Sequence, residues 1–146
     1  MKRIVVLVLL AGWLGTGCRS PGANPASAGA PETKPVAPVA TQITHVDAAG
    51  AARLIGAKKV LVVDVRTPAE YAAGHIAGAR EINFNAPDFA QQLGRVDRNQ
   101  VCLVHCARGG RSTQSLATFQ QLGFKSVVHL DGGFQAWQQA GLPVEH

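Results

Sequence analysis

Val101-Cys-Leu-Val-His-Cys-Ala-Arg-Gly-Gly-Arg-Ser112 decides how this chain is read. An apolar run ends in Cys106, two glycines and two arginines follow, and a helix-like segment begins. A buried strand followed by a tight loop and a helix start is a cradle for an anion. The strand delivers the cysteine, the loop turns N–H groups toward its sulfur, and the helix start adds positive potential. Such surroundings favour the thiolate, the nucleophilic form of cysteine.

Working outward from this stretch, strands and helices alternate. Gln42 to Val46 reads as a short strand, and Asp47 caps a helix over Ala48 to Ile55. Val60 to Val65 is a continuous apolar run, as expected of a strand buried on both faces of a parallel sheet. Pro68 to Ala73 suits a short helix with proline in its first turn. Arg80 to Asn83 reads as a strand, Asp88 to Leu93 as a helix and Val101 to His105 as another buried strand. Leu116, Phe119 and Leu122 predict a helix over Thr113 to Leu122, ended by Gly123. Ser126 to Leu130 is the last strand and Phe134 to Ala140 the last helix. This order predicts one α/β domain with a mostly parallel five-stranded sheet and helices on both faces. Ligands of such sheets bind beyond the carboxyl ends of the strands, which is where Cys106 falls.

The folding part is expected to span residues 42–146. Residues 1–18 read as an export signal: Lys2 and Arg3, an apolar run from Ile4 to Leu10 loosely extended to Leu14, then small residues before Cys18. The run is short of the roughly 20 residues that a stable bilayer span needs. The segment resembles bacterial lipoprotein signals, with Gly17 directly before Cys18; it departs from them at Gly15, where leucine is usual. The resemblance implies acylation of Cys18, and Arg19 in place of aspartate implies an outer-membrane lipoprotein facing the periplasm. Secretion with simple cleavage nearby is the alternative. Residues 19–41 carry prolines at 21, 25, 31, 35 and 38 among small residues, and read as a disordered, semi-extended linker.

The chain of 146 residues carries a formal charge of +5, but from Gln42 onward ten basic residues face eight acidic ones. A domain with so small an excess, no basic run and no interleaved aromatics does not suggest nucleic-acid binding. Neither a dinucleotide fingerprint nor a Walker loop is present.

Three blocks together resemble the rhodanese (thiosulfate sulfurtransferase) family. They are Val63-Asp-Val-Arg-Thr-Pro-Ala-Glu-Tyr-Ala-Ala-Gly-His-Ile-Ala-Gly-Ala79 with Ile82-Asn83, His105-Cys-Ala-Arg-Gly-Gly-Arg-Ser112, and Leu130-Asp-Gly-Gly-Phe-Gln-Ala-Trp137 with Gly141-Leu-Pro143. The likeness covers about residues 42–145 and is to the single-domain members. It implies a three-layer rhodanese-like fold and sulfane-sulfur transfer in two steps. Cys106 would attack a donor such as thiosulfate and become a persulfide, and cyanide or a thiol would then remove the outer sulfur. No metal and no organic cofactor is expected.

The residues support that route independently. Arg108 and Arg111 can hold a sulfonate-bearing dianion, since guanidinium suits such oxygens as it suits phosphate. The N–H groups of Ala107, Arg108, Gly109, Gly110, Arg111 and Ser112 can converge on the sulfur, and Gly109 and Gly110 permit the required curl. The resemblance also implies that a basic loop goes with thiosulfate as donor over mercaptopyruvate.

Other titratable residues have plainer readings. Cys102 lies inside the apolar strand and reads as packing. A Cys102–Cys106 disulfide does not fit a strand, because four extended residues separate the pair by roughly 13 Å, against the about 4.4–6.8 Å a bridge spans. A C-x3-C spacing without a second pair does not suggest zinc. His105 points away from Cys106 by strand alternation and reads as structural. His75 reads as a turn element, Asp64 and Arg66 as a buried pair on one strand face, and Trp137 as core.

Two rival functions share parts of this pattern. Tyrosine and dual-specificity phosphatases resemble His-Cys-x5-Arg, whereas here Ser112 stands where that arginine would be, so the loop is one residue short and suits a single sulfur atom better than a phosphoryl group. The second rival is a persulfide carrier or binding module serving a protein partner, to which an anchor at Cys18 would be suited.

Overall fold

The computed structural model describes residues 40–146. The export signal, the acylation site at Cys18 and nearly all of the linker lie outside the described residues. Among the described residues no helix is long and apolar enough to cross a membrane.

Five parallel strands form the sheet in the order β1-β6-β5-β2-β4. They are β1 (Gln42–Val46), β2 (Leu61–Asp64), β4 (Arg80–Glu81), β5 (Cys102–His105) and β6 (Ser126–Leu130). The continuous apolar runs occupy the middle: β5 is buried throughout, and β2 and β6 nearly so. Strand β1, with its exposed and half-buried pattern, takes an edge. This order follows from burial, because only strands apolar on both faces can be covered on both.

Two cores lie on either side of the sheet. On one face Val62, Leu103 and Val128 meet Ala48 and Ala51 of α1 (Ala48–Gly56) and Phe134 and Trp137 of α5 (Gly133–Gln139). On the other, Val63, Val104 and Val127 meet Phe89 and Leu93 of α3 (Phe89–Leu93) and Leu116 and Phe119 of α4 (Gly110–Gln121). Neighbouring strand residues thus feed opposite cores, as the two-residue period of a strand requires. The expected three-layer α/β architecture is the one observed. Trp137 is buried and donates its indole N–H to the Pro143 carbonyl at 2.8 Å, as a core tryptophan should.

Beyond shifts of one or two residues at element ends, the structure departs from the sequence expectation in two places. Helix α4 begins at Gly110, three residues before the expected start, so Arg111 and Ser112 belong to its first turn. Gly109, at φ 103°, turns the chain into that helix; the apolar periodicity starts later because the first turn carries only glycine, arginine and polar residues. Second, β3 (His75–Ile76) pairs antiparallel with β7 (Val144–Glu145) in a small separate sheet. Two-residue strands leave no periodic trace, and His75, read as a turn element, lies in one of them.

Candidate active site

Cys106 directly follows β5, at the carboxyl end of the central strand. Its side chain is buried, with the residue 2% exposed, and it lines a cavity of about 490 Å³ together with Ala107, Arg108, Gly110, Arg111 and Gln114. Gly109 donates its backbone N–H to Sγ at 3.1 Å, and the Ser112 hydroxyl lies 3.5 Å from the same sulfur. Burial raises the thiol's pKa, but hydrogen bonds from the Ser112 hydroxyl and from the amides of Ser112, Arg108 and Gly109 outweigh it, and the net shift is downward. A buried sulfur with converging donors is stabilised as an anion.

The two loop glycines have different tasks. Gly109 needs its positive φ, a conformation that costs an L side chain about 1–2 kcal/mol. Gly110 is not in that region, and a Cβ there would meet nothing within 4 Å; backbone freedom, expected of both, is required only at Gly109.

The loop is fixed from behind by α5. The N–H groups of Phe134 and Gln135 donate to the carbonyls of Cys106 (2.7 Å) and Ala107 (2.9 Å). At Gly133, which has φ 60°, a Cβ would collide with the Cys106 carbonyl and the backbone of Ala107 and Arg108. The loop is therefore tied at one end by β5 and along its back by the first turn of α5.

Arg108 is exposed and lines this cavity together with a second one of about 440 Å³, bordered by Arg66, Glu70, Phe134 and Gln138. Arg111 also lines the first cavity, but its guanidinium is engaged by Glu70, both nitrogen-to-oxygen distances being 2.7 Å. Glu70 belongs to α2 (Pro68–Ala72) and closes a capping box with Thr67. Hydrogen bonding to Arg111 brings the Glu70 carboxyl down to about 2, burial opposing and Thr67 assisting. The sequence alone does not single out Glu70. The Thr67-Pro-Ala-Glu70 spacing marks a capping residue, but nothing in it names the arginine on another helix.

The remaining candidates behave as structure. Asp64 and Arg66 form a buried pair at 2.6 Å, and Arg66 also donates to the Gly74 carbonyl at 2.8 Å and lies 4.1 Å from the centre of the Phe134 ring. His105 is fully buried; its Nε2 makes no hydrogen bond but lies 3.7 Å from an Asp64 oxygen, and its Nδ1 lies 3.4 Å from the Cys106 carbonyl oxygen, facing backbone rather than sulfur. Burial pushes the Cys102 thiol up to about 11, helped by the charge of Asp97. Both described cysteines are free thiols. Ligand atoms of His45, His129 and Asp131 lie within 4.8 Å of one another. One Asp131 oxygen lies 2.9 Å from Nδ1 of each imidazole, and that sharing accounts for the cluster without an ion.

Residues 47–140 match the rhodanese-like domain model. The chain belongs to the rhodanese-like domain family. Among rhodanese relatives, a sulfurtransferase of Allochromatium vinosum is 35% identical over 92 residues, which cover 63% of this chain and 84% of that protein. The thiosulfate sulfurtransferase GlpE of Pseudomonas paraeruginosa is 42% identical over 78 residues, covering 53% of this chain and 68% of that protein. The crystal structure of a rhodanese-related protein from Thermoplasma volcanium is similar with a TM-score of 0.63 at 31% identity, covering 70% of this chain and 97% of that one. The chemistry that this rhodanese membership supports in general terms is sulfur transfer.

Proposed function

We propose that this rhodanese-family chain is a thiosulfate sulfurtransferase working through a persulfide on Cys106. The observation that carries this reading is a buried sulfur that receives the Gly109 N–H at 3.1 Å and lines a cavity shared with Arg108 and Arg111.

In the first half-reaction the Cys106 thiolate attacks the outer sulfur of thiosulfate. The S–S bond of the donor breaks, sulfite leaves with its electron pair, and Cys106 keeps the transferred sulfur as a persulfide anion. Arg108 and Arg111 offset the charge of the donor and of departing sulfite. The loop amides and the Ser112 hydroxyl hold negative charge on sulfur before and after transfer. In the second half-reaction a thiolate or cyanide attacks the outer sulfur, and the Cys106 thiolate is restored. The named sulfurtransferase relatives support the general reaction, and the basic loop supports thiosulfate as donor. A protein thiol as the natural acceptor is the second reading, suited to an exported chain tethered through an acylated Cys18 to the periplasmic side of the outer membrane.

Intact mass spectrometry after incubation with thiosulfate tests the proposal. The expected result is a gain of about 32 Da, one sulfur atom, lost on adding cyanide and absent in Cys106→Ser. A folded wild-type protein that gains no sulfur from thiosulfate would overturn it.

A further inference from the structure

A continuous line of polar groups runs from Cys106 away from the cavity. The Ser112 Oγ is 3.5 Å from the Cys106 sulfur and 2.9 Å from Nε2 of His129. His129 is a β6 residue, 3% exposed, and its Nδ1 lies 2.9 Å from an oxygen of Asp131. The same oxygen is 2.9 Å from Nδ1 of His45, the residue paired with His129 across β1 and β6.

The proton positions along this line are constrained. Hydrogen bonds to His45 and His129 lower the Asp131 pKa against the opposing effect of burial; Asp131 is therefore a carboxylate and only accepts. Nδ1 of His129 must then carry hydrogen, and a neutral His129 turns the lone pair of Nε2 toward Ser112. The Ser112 hydroxyl also donates to the Gly109 carbonyl at 2.9 Å, an oxygen that takes the Thr113 N–H and O–H at the same distance. The single Ser112 proton therefore has three acceptors within reach, this carbonyl, His129 Nε2 and the sulfur of Cys106. The Thr113 hydroxyl is 3.3 Å from the same nitrogen, a longer approach than that of Ser112. The charged or titratable groups facing His129 are Asp131 beyond its own strand, His45 on β1 with ring centres 5.0 Å apart, and Cys106 beyond Ser112 on the side of α4.

We infer that His129 is a positioning residue for Cys106, taking up through Ser112 the proton that leaves the thiol. The S–H bond breaks as Ser112 Oγ receives that proton and passes its own to His129 Nε2. The products are a thiolate that accepts the Ser112 O–H and the Gly109 N–H, and an imidazolium whose Nδ1–H stays on Asp131. Protons and charge balance with no further reactant. With His129 charged, Nε2 donates to Ser112, so the serine hydrogen is released to point at sulfur. The buried histidine thus sets the direction of the Ser112 hydrogen bond to Cys106.

The inference rests on Cys106 being the working sulfur, yet it is read without a sulfur donor. The measurement is the fraction of Cys106 thiolate against pH, from its ultraviolet absorbance and from iodoacetamide alkylation mapped by mass spectrometry. His129→Gln keeps a polar partner for Ser112 but cannot take up a proton. Its half-titration of Cys106 is expected about one pH unit above wild type, the effect of losing one favourable partner of the anion. Asp131→Asn, at an exposed position, is expected to shift it in the same direction, and it carries the test if His129→Gln does not fold. In a Ser112→Ala background the His129→Gln shift should vanish, because the connection is gone. Wild-type titration curves in folded His129→Gln and Asp131→Asn would overturn the inference, as would a His129→Gln shift of equal size with and without Ser112. Failure of persulfide loading would instead sink the proposed sulfur transfer and leave this titration unchanged.

Discussion

Glu70 holds both terminal nitrogens of Arg111, each at 2.7 Å, across 41 residues of sequence. A fork of this kind fixes the plane of the guanidinium as well as its place, so Arg111 reaches the cavity over Cys106 from one direction. The same carboxylate accepts from the Thr67 amide and hydroxyl at 3.1 and 2.9 Å, tying the start of α2 to the start of α4.

The Glu70 carboxyl is expected to titrate near 2 instead of 4.5, mainly because of Arg111. A folded-state pKa below the unfolded one means that the interaction's contribution to stability is complete above about 4.5 and disappears as pH falls through about 2. Exposure of the pair to water keeps that contribution small. Carboxyl chemical shifts followed by NMR should show the low midpoint in wild type and a return toward 4.5 in Arg111→Gln.

Gly133→Ala should disturb the loop with no change to any loop residue. The new methyl group would collide with the Cys106 carbonyl, and the residue sits at φ 60°. Left-handed strain and overpacking together are expected to cost about 2–4 kcal/mol. A chemical denaturation curve reads the loss, and slower alkylation of Cys106 in the surviving folded protein reads the displaced loop. Wild-type values for both would show that α5 does not brace the loop.

The two described cysteines should differ sharply in reactivity. Cys102 is held up at about 11 by burial, whereas the donors around Cys106 bring it below the ordinary 9.0. Brief treatment with iodoacetamide near pH 8, followed by peptide mapping, is expected to label Cys106 and spare Cys102. Equal labelling would contradict the thiolate assignment.

Arg108 and Arg111 should contribute unequally to donor binding. Arg108 is exposed at the junction of two cavities, whereas the charge of Arg111 is partly offset by Glu70. Arg108→Ala is expected to raise KM for thiosulfate by about tenfold, the worth of one charge-assisted hydrogen bond, with kcat nearly kept. Arg111→Ala should raise KM less. Steady-state kinetics with thiosulfate and cyanide would separate the two, and the reverse order would reassign the donor contact.

Features that depend on near neighbours in the chain could be read from the residues alone. Apolar runs as long as Val60 to Val65 and Val101 to His105 can only be covered on both faces, so the parallel sheet and the placing of Cys106 at a strand end were legible. So were the buried Asp64–Arg66 pair, two residues apart on one face, and the packing role of Cys102. Folding settled which distant elements meet. It made Glu70 the partner of Arg111, set Gly133 against the Cys106 carbonyl, and brought His129 to Ser112 by laying β6 beside β5. These contacts join elements distant along the chain, and their side chains carry no periodic signal. Their partners are fixed only when the sheet order brings strand ends together, because hydrogen bonds act over about 3 Å and the sequence records no such distance.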